Sequence, residues 1–400
     1  MALSVAGASD ILKEDYKPVI REQLNNQFII LELATQNQDD VEGTEAVLST
    51  HQSRNRGVGA RGEFGSLPTA GRQGYKKSRV PLKFNYGTIK VSGQILKAAK
   101  SDRGSFTRAL DSEVQGIVRD LKRDVNRQCF TTEAGTIAIT GGGTPTGTSF
   151  ITTTTAQARR LEPGYRYDIV EALTDVVVFT VDLVSVNVST KTATTTLVST
   201  GTGTAASTNR VVNTGVTPSA NDEITGIEQI VDSAGSLFSI DPASYPRWSS
   251  YELAVSGLPT DAVFEAACDE VNLACGEDPN LIVTSFEVAR TYASTLKAHK
   301  RFVSEPLTLK GGFKAISVAT PRGELALRTE RDCETQEAYG LTTSALIHYN
   351  QGDWDFMDED GNMLVRTPGQ DAYEATLYRY HELATDQRNA HFKLTSLTVV

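Results

Sequence analysis

The chain has 400 residues, 39% of them hydrophobic and 22% charged, with a formal net charge of −10. That length exceeds one ordinary domain and predicts two or three, and the composition is that of a soluble globular protein. No apolar run approaches the ~18 residues needed to span a membrane, Met1 to Ser9 lacks the features of a secretory signal, and the four cysteines stand away from metal-ligand spacings. The expectation is an intracellular protein with buried reduced thiols and no membrane partner.

The charge is unevenly placed. Lys+Arg stand against Asp+Glu as 3 to 9 in residues 1–50, 17 to 6 in 51–130, 5 to 6 in 131–215 and 14 to 28 in 216–400. A basic segment therefore accompanies an acidic body. Clustered Lys and Arg can neutralise nucleic-acid phosphates, but the basic block has no recognisable nucleic-acid motif and few aromatics. The stronger reading is self-association, with the basic segment of one copy on the acidic body of the next. Two different patches meeting on identical subunits make a heterologous contact, which closes into rings or continues as a lattice.

In chain order, residues 1–57 read as an N-terminal arm. A helix is expected within 10–34, after Pro18, with Leu24, Phe28 and Leu31 on one face, and 36–55 is polar and extended. Residues 58–103 form an extended loop. Gly57, Gly59, Gly62, Gly65, Gly71 and Gly74 interrupt its first half, while Val80, Leu82, Phe84, Ile89 and Val91 alternate as strand in its second. A two-stranded ribbon of this length has no core of its own and needs another surface to rest on. Its candidate intersubunit contacts are Arg61, Phe64, Arg72, Tyr75, Lys76, Lys77, Arg79 and Lys83.

Residues 104–135 hold one long helix. Phe106, Leu110, Val114, Ile117, Val118, Leu121, Val125 and Cys129 recur at helical spacing, and 26 residues at about 1.5 Å each make a rod of roughly 39 Å. Residues 136–215 then change character, with 21 threonines and few charges. Strand-like runs at Tyr165–Ile169, Val176–Val188, Thr194–Val198 and Arg210–Val212 predict a small inserted β domain, barrel-like, over 148–221, in preference to a Thr-rich linker.

Residues 222–372 return to mixed α and β. Asp261 is expected to cap a helix with the stripe Phe264, Ala267, Cys268, Val271, Ala274 and Cys275, ended by Gly276, and Ser285 to cap another. Strands are expected at Ala315–Ala319, Leu325–Arg328, Ala345–Tyr349, Trp354–Met357 and Met363–Arg366, and two long strands, Tyr373–Ala384 and His391–Val399, close the chain. The fold class is α+β.

Chemistry is sparse. His51, His299, His348, His381 and His391 form no HExxH, no i, i+4 pair and no zinc pattern, and there is no GxSxG or P-loop. The acidic run Asp353, Asp355, Asp358, Glu359, Asp360 misses the EF-hand order because Phe356 stands where a ligand is needed, so two strands joined by an Asp-Gly turn explain it better. No catalytic, cofactor or metal site is expected, and no enzyme.

The order of parts resembles the major capsid protein of tailed double-stranded DNA bacteriophages, the Hong Kong 97-type fold. The resemblance rests on Glu63-Phe64-Gly65-Ser66-Leu67-Pro68 and Tyr86-Gly87-Thr88-Ile89-Lys90-Val91-Ser92 in the extended loop and on the spine from Phe106 to Phe130. Gly226-Ile227-Glu228-Gln229-Ile230, Pro246-Arg247-Trp248, Gly276 to Ser285, and Trp354 with Asp360-Gly361 extend it. It covers about residues 10–135 and 222–400; the β insert departs from it.

The resemblance implies a virion protein, assembled in the host cytoplasm, whose hexamers and pentamers tile an icosahedral shell around packaged DNA. The extended loop would lie across a neighbour, the spine helix and the terminal strands of 373–400 would form a peripheral domain, and the rest an axial domain. Portal, scaffold and decoration proteins would be partners. Some members cross-link a loop lysine to a late asparagine; Lys76, Lys77 or Lys83 with Asn389 would be the counterparts, but no acid follows Asn389 to assist. Two other readings remain: a phage tail or surface adhesive protein using the Thr-rich module, and an encapsulin-type compartment of the same fold.

Overall fold

The structure, a computed structural model, describes residues 30–92, 103–297, 307–308, 314–320, 323–358 and 365–399. Its strands form four sheets around one long helix, Arg103–Gln128. The helix begins one residue ahead of the expected 104 and ends at Gln128, where the apolar stripe ends and seven residues short of 135; the stripe's end is what packs, with Leu121, Val125 and Cys129 buried. Among the described residues no helix is long and apolar enough to cross a membrane.

The first sheet lies under the long helix. Its central strand, Ala372–Thr385, is 14 residues long; Lys83–Ser92 pairs with it antiparallel along one side. Leu346–Asn350, Asp355–Phe356 and Val365–Arg366 also pair with it, and Thr35–Asn37 adds a parallel strand beyond Leu346–Asn350. Gly87 sits where helix and sheet meet: a Cβ there would stand 2.6 Å from Leu121 Cδ1 and 3.0 Å from Ile117 Cγ1. Its missing side chain lets the helix approach.

The second sheet is the insert. Its order runs Ala138–Ile139, Arg210–Asn213, Arg166–Val170, Val177–Asn187, Thr192–Thr200, Ser149–Ile151, and the bridge Thr140 to Thr152 joins the two ends into a small barrel. Ile137, Phe150, Tyr167, Ile169, Val181 and Val211 fill it. The four expected runs are its four main strands. The barrel reaches back to Ala138, ahead of the expected start at 148, because closure needs the short strand that pairs with Arg210–Val211.

The third sheet, of seven strands, carries helices Asp261–Cys275 and Phe286–Lys297. Phe264, Ala267, Cys268 and Val271 face its core as the stripe predicts, and Gly276 ends the first helix in the left-handed conformation. Ala274 is exposed, and Thr260, not Asp261, occupies the N-cap position. Asp261 instead accepts the Tyr292 hydroxyl at 2.5 Å, tying the two helices together. Ser285 does cap its helix, its hydroxyl accepting from Val288 N at 3.4 Å.

Other expectations change as well. The ribbon begins at Glu45, not 58: Glu45–Ser53 pairs with Gly74–Pro81, so a segment assigned to the N-terminal arm is the ribbon's first strand. Lys83–Ser92, read as part of the ribbon, belongs to the first sheet. The last two strands do not share a sheet. Ala372–Thr385 stays in the first, while Phe392–Thr395 crosses to the third between Tyr251–Ala254 and Ala338–Leu341. The short turn between them, Arg388–Ala390, is buried at Arg388 and Ala390 and redirects the chain. Asp355–Phe356 and Val365–Arg366 each pair with Ala372–Thr385, not as a hairpin of their own, and the Asp-Gly turn lies outside the described residues. So does the expected helix at Pro18, Leu24 and Phe28; Ile30–Leu33 is helical.

Candidate assembly interface

The ribbon is built by alternation. On Gly74–Pro81, Ser78 and Val80 point inward and are buried, while Tyr75, Lys77 and Arg79 point outward. Its root rests on the loop that carries Phe238 and Tyr245, where Arg79 N donates to Phe238 O at 3.2 Å and Lys76 Nζ sits 5.5 Å over the Tyr245 ring, and Leu82 N donates to Thr44 O at 2.9 Å to close the ribbon's own base.

Beyond Ser53 and before Gly74 the chain has no regular structure, yet its tip is a built turn. Arg61 Nε donates to Ser66 O at 2.8 Å and its Nη1 to Ala60 O at 2.9 Å, while Gly65 N donates to Gly62 O at 3.0 Å. Phe64, at φ 61°, is turned outward and is 98% exposed, with Val58 and Leu67 at 83% and 86%. Three large apolar side chains in water on one loop, flanked by Arg54, Arg56, Arg61 and Arg72, form a patch that folding alone does not account for.

Seven of the eight predicted contact residues lie on this ribbon. Arg61, Phe64 and Arg72 are at the tip; Tyr75 is exposed with its ring 5.1 Å from that of His51; Lys77 is exposed; Arg79 pairs with Glu45 at 2.5 Å. Lys76 is half-buried against Tyr245. Lys83 does not join them. It opens the first-sheet strand, its side chain is mostly buried, and its ammonium meets Asn221 O and Glu133 Oε2 at 3.5 Å. The residue after the ribbon's Pro81 has already turned into the body, so this lysine is spent within its own chain.

Sequence periodicity missed a buried polar joint where the long helix ends. From Val125 to Phe130 every residue is buried, including Asn126, Arg127 and Gln128, which lie off the apolar stripe. Arg127 grips Glu223 through two bonds of 2.6 and 3.0 Å and Asp124 through a third of 2.9 Å. Burial disfavours its charge, but Asp124 and Glu223 more than offset that and hold it charged. Asn126 Nδ2 lies between Glu330 Oε1 at 3.4 Å and Asp332 Oδ2 at 3.2 Å. Burial first, and Asp332 second, push Glu330 up to about 8.

Glu382 accepts from Thr225 N at 2.6 Å and Leu383 N at 3.0 Å, and burial pushes it to about 8 despite Lys83. Arg160, at the barrel's root, donates to Asp332 O at 2.6 Å and meets Glu334 at 3.1 Å. The joint thus links helix, barrel and body. Nearby, His348 and His381 share a bond of 3.0 Å, and His348 meets Gln36 at 2.8 Å. Burial lowers both, His348 to about 3. Among the described residues no group of three or more His, Cys, Asp or Glu is placed to hold a metal.

No protein-family model matches the sequence, and neither does any curated protein. Solved structures do match. A chain of the cyanophage A-1(L) capsid asymmetric unit superposes with TM-score 0.60 at 12% identity, covering 99% of this chain and 100% of that one. The capsid of a native GTA particle gives 0.52 at 10% identity, over 100% of this chain and 99% of that one. The holo-SrpI encapsulin complex of Synechococcus elongatus PCC 7942 gives 0.51 at 9% identity, over 100% and 98%. At such identities the likeness is one of fold, carried end to end: the chain folds as these capsid and encapsulin chains fold.

Proposed function

We propose that this chain is a structural major capsid protein of a tailed bacteriophage, assembling into hexamers and pentamers of an icosahedral shell around double-stranded DNA. The observation that carries the reading is the ribbon: an arginine-rich arm whose root packs in the core through Ala46 and Val80 but whose outer half leaves it and ends in three exposed apolar side chains, on a chain whose whole length superposes on a phage capsid chain. A surface of that kind gains its packing from another copy.

In this reading the first sheet with the long helix is the peripheral domain, the third sheet with its two helices the axial domain, and the barrel an insertion beside them. The protein works by association energetics and carries no enzymatic role. Each arm contact need contribute only a few kcal/mol, because a closed lattice repeats it. The DNA is held non-specifically, in keeping with the net charge of −10, since a strongly cationic lining would bind phosphates tightly. Portal, scaffold and decoration proteins are its partners, and the virion, built in the host cytoplasm, its place.

Deleting Phe64 to Tyr75 tests this directly. Electron microscopy of the expressed protein should show open sheets, small oligomers or unassembled subunits; normal closed shells would rule the reading out. An encapsulin-type compartment is the second reading, because the SrpI chain shares the fold. Particles from the native source should contain DNA; a protein cargo without nucleic acid would favour the compartment.

A further inference from the structure

A hydrogen-bonded line of side chains crosses the first sheet from the end of the long helix to the outermost strand, Thr35–Asn37, and its inner end fixes where every proton along it sits. Gln128 Oε1 accepts from the backbone N–H of Ile224 at 3.3 Å, so its Nε2 is the donor that reaches Asp124 Oδ2 at 2.7 Å and Asn85 Oδ1 at 3.1 Å. Asn85 then turns its Nδ2 to His381 Nε2, 3.0 Å away. That ring nitrogen accepts, which leaves the ring's proton on Nδ1, donating to His348 Nε2 at 3.0 Å. His348 in turn carries its proton on Nδ1 and donates to Gln36 Oε1 at 2.8 Å. Gln36 also accepts from Asn350 Nδ2 at 2.7 Å and donates to Leu31 O at 2.9 Å, which ties the helix Ile30–Leu33 to the same line.

We propose that this line is an acid-operated clasp: a proton taken up by the histidine pair parts residues 30–37 from the strand Leu346–Asn350. Both rings are fully buried and all four ring nitrogens are engaged, so an added proton meets a donor wherever it lands. On His348 Nε2 it faces the His381 N–H; on His381 Nε2 it faces the Asn85 amide, which cannot turn round without abandoning Gln128.

The surrounding charges do not offset that conflict. Burial and then Arg379 oppose a charge on His348, while Asp353, exposed and 3.8 Å from Arg379, favours one; burial, His348 and Arg379 oppose it on His381. Lys83, in register with His381, directs its ammonium to Asn221 O and Glu133. Asp124 is engaged by Arg127 and Gln128, Glu382 by Thr225 N and Leu383 N, and Asp40, beside the outer strand, by Asn37 Nδ2. Trp354 brings only its ring, 6.2 Å from that of His381. Once the outer strand leaves, His348 meets water and titrates near its ordinary 6.5, so below that pH the open form gains up to about ten-fold per unit. The clasp works within a single subunit, independent of assembly.

Hydrogen–deuterium exchange of the full chain as unassembled subunits tests it. From pH 7 to pH 5, after correction for the intrinsic pH dependence of exchange, local opening over residues 30–37 should rise about 25-fold, with the barrel strand Val177–Asn187 unchanged. His348→Gln, whose carboxamide accepts from His381 and donates to Gln36 without titrating, should keep the protection seen at pH 7 and lose the rise. No rise over 30–37, an equal rise in the barrel, or a rise that survives His348→Gln would overturn the clasp. A second measurement needs no variant: nitrogen NMR of the imidazoles at pH 7 should find the proton of both His348 and His381 on Nδ1, the minor tautomer of free histidine. An Nε2 proton on either ring breaks the line, and the proposal with it.

Discussion

Single residues set the chain's response to pH, through side chains that burial has moved. Glu330 and Glu382 rise from an ordinary 4.5 to about 8 in the folded state, so folding takes up protons that the unfolded chain has released. Their contribution is complete below the unfolded value and falls as pH rises toward 8. The buried histidines act oppositely: His348 and His391 fall from 6.5 to about 3, so their contribution is present above 6.5 and is lost as pH falls. Above pH 6.5 only the acids act. Unassembled subunits should therefore lose a few kcal/mol between pH 6.5 and 8, measured by urea midpoints, and Glu330→Gln with Glu382→Gln should flatten that decline.

Arg388 supplies a second prediction at this scale. Its guanidinium is buried and donates to the carbonyls of Gln229, Ile230, Ala234, Gly235 and Trp248 at 2.9 to 3.4 Å. Burial lowers it to about 10, yet it still carries its charge at neutral pH. Arg388→Met leaves those carbonyls unpaired and should cost about 3–5 kcal/mol in urea unfolding. Arg388→Lys should recover little of that, since an ammonium cannot reach so spread a set.

Among the elements, the long helix depends on two close approaches. A Cβ at Gly226 would stand 1.8 Å from Thr131 O, just past the helix end, whereas at Gly87 it would meet the movable ends of Leu121 and Ile117. Gly226 has φ −85°, so the obstacle is space and not backbone conformation. Gly87→Ala should cost about 1–3 kcal/mol as the side chains shift, and Gly226→Ala more, because a backbone carbonyl must move. Thermal melting of the two variants checks the order. The ribbon is the opposite kind of element: Glu45–Ser53 and Gly74–Pro81, with the short Val41–Glu42 beside them, bury Ala46 and Val80 at the root, while the outer half has nothing of its own to bury and waits for a partner.

Across the whole molecule, charge is partitioned between a basic arm and an acidic body, and that partition should govern assembly. Raising salt from 0.1 to 1 M shortens the screening length from about 10 to about 3 Å. Shell formation followed by light scattering should slow and yield less over that range. A variant with Arg61→Glu, Arg72→Glu and Lys77→Glu should assemble poorly in low salt and respond little to added salt. Lys76 and Arg79 are the less informative targets, since Tyr245 and Glu45 already engage them.

The long helix, the body helices, the four main barrel strands and the arm's basic character were determined by the sequence itself, because each is a local pattern: an apolar stripe, an alternation, a run of glycines or a count of charges. Tertiary structure alone decided that residues 45–53 supply the ribbon's first strand, that Lys83 leaves the ribbon for Glu133, and that the last two strands part into different sheets. Only the fold brought Asn126, Glu330 and Asp332 together across some 200 positions, or set Phe84 opposite Tyr380. Such pairings are chosen by which surfaces remain to be covered once the local elements exist, and a polar residue off the apolar stripe carries no mark that a buried partner awaits it.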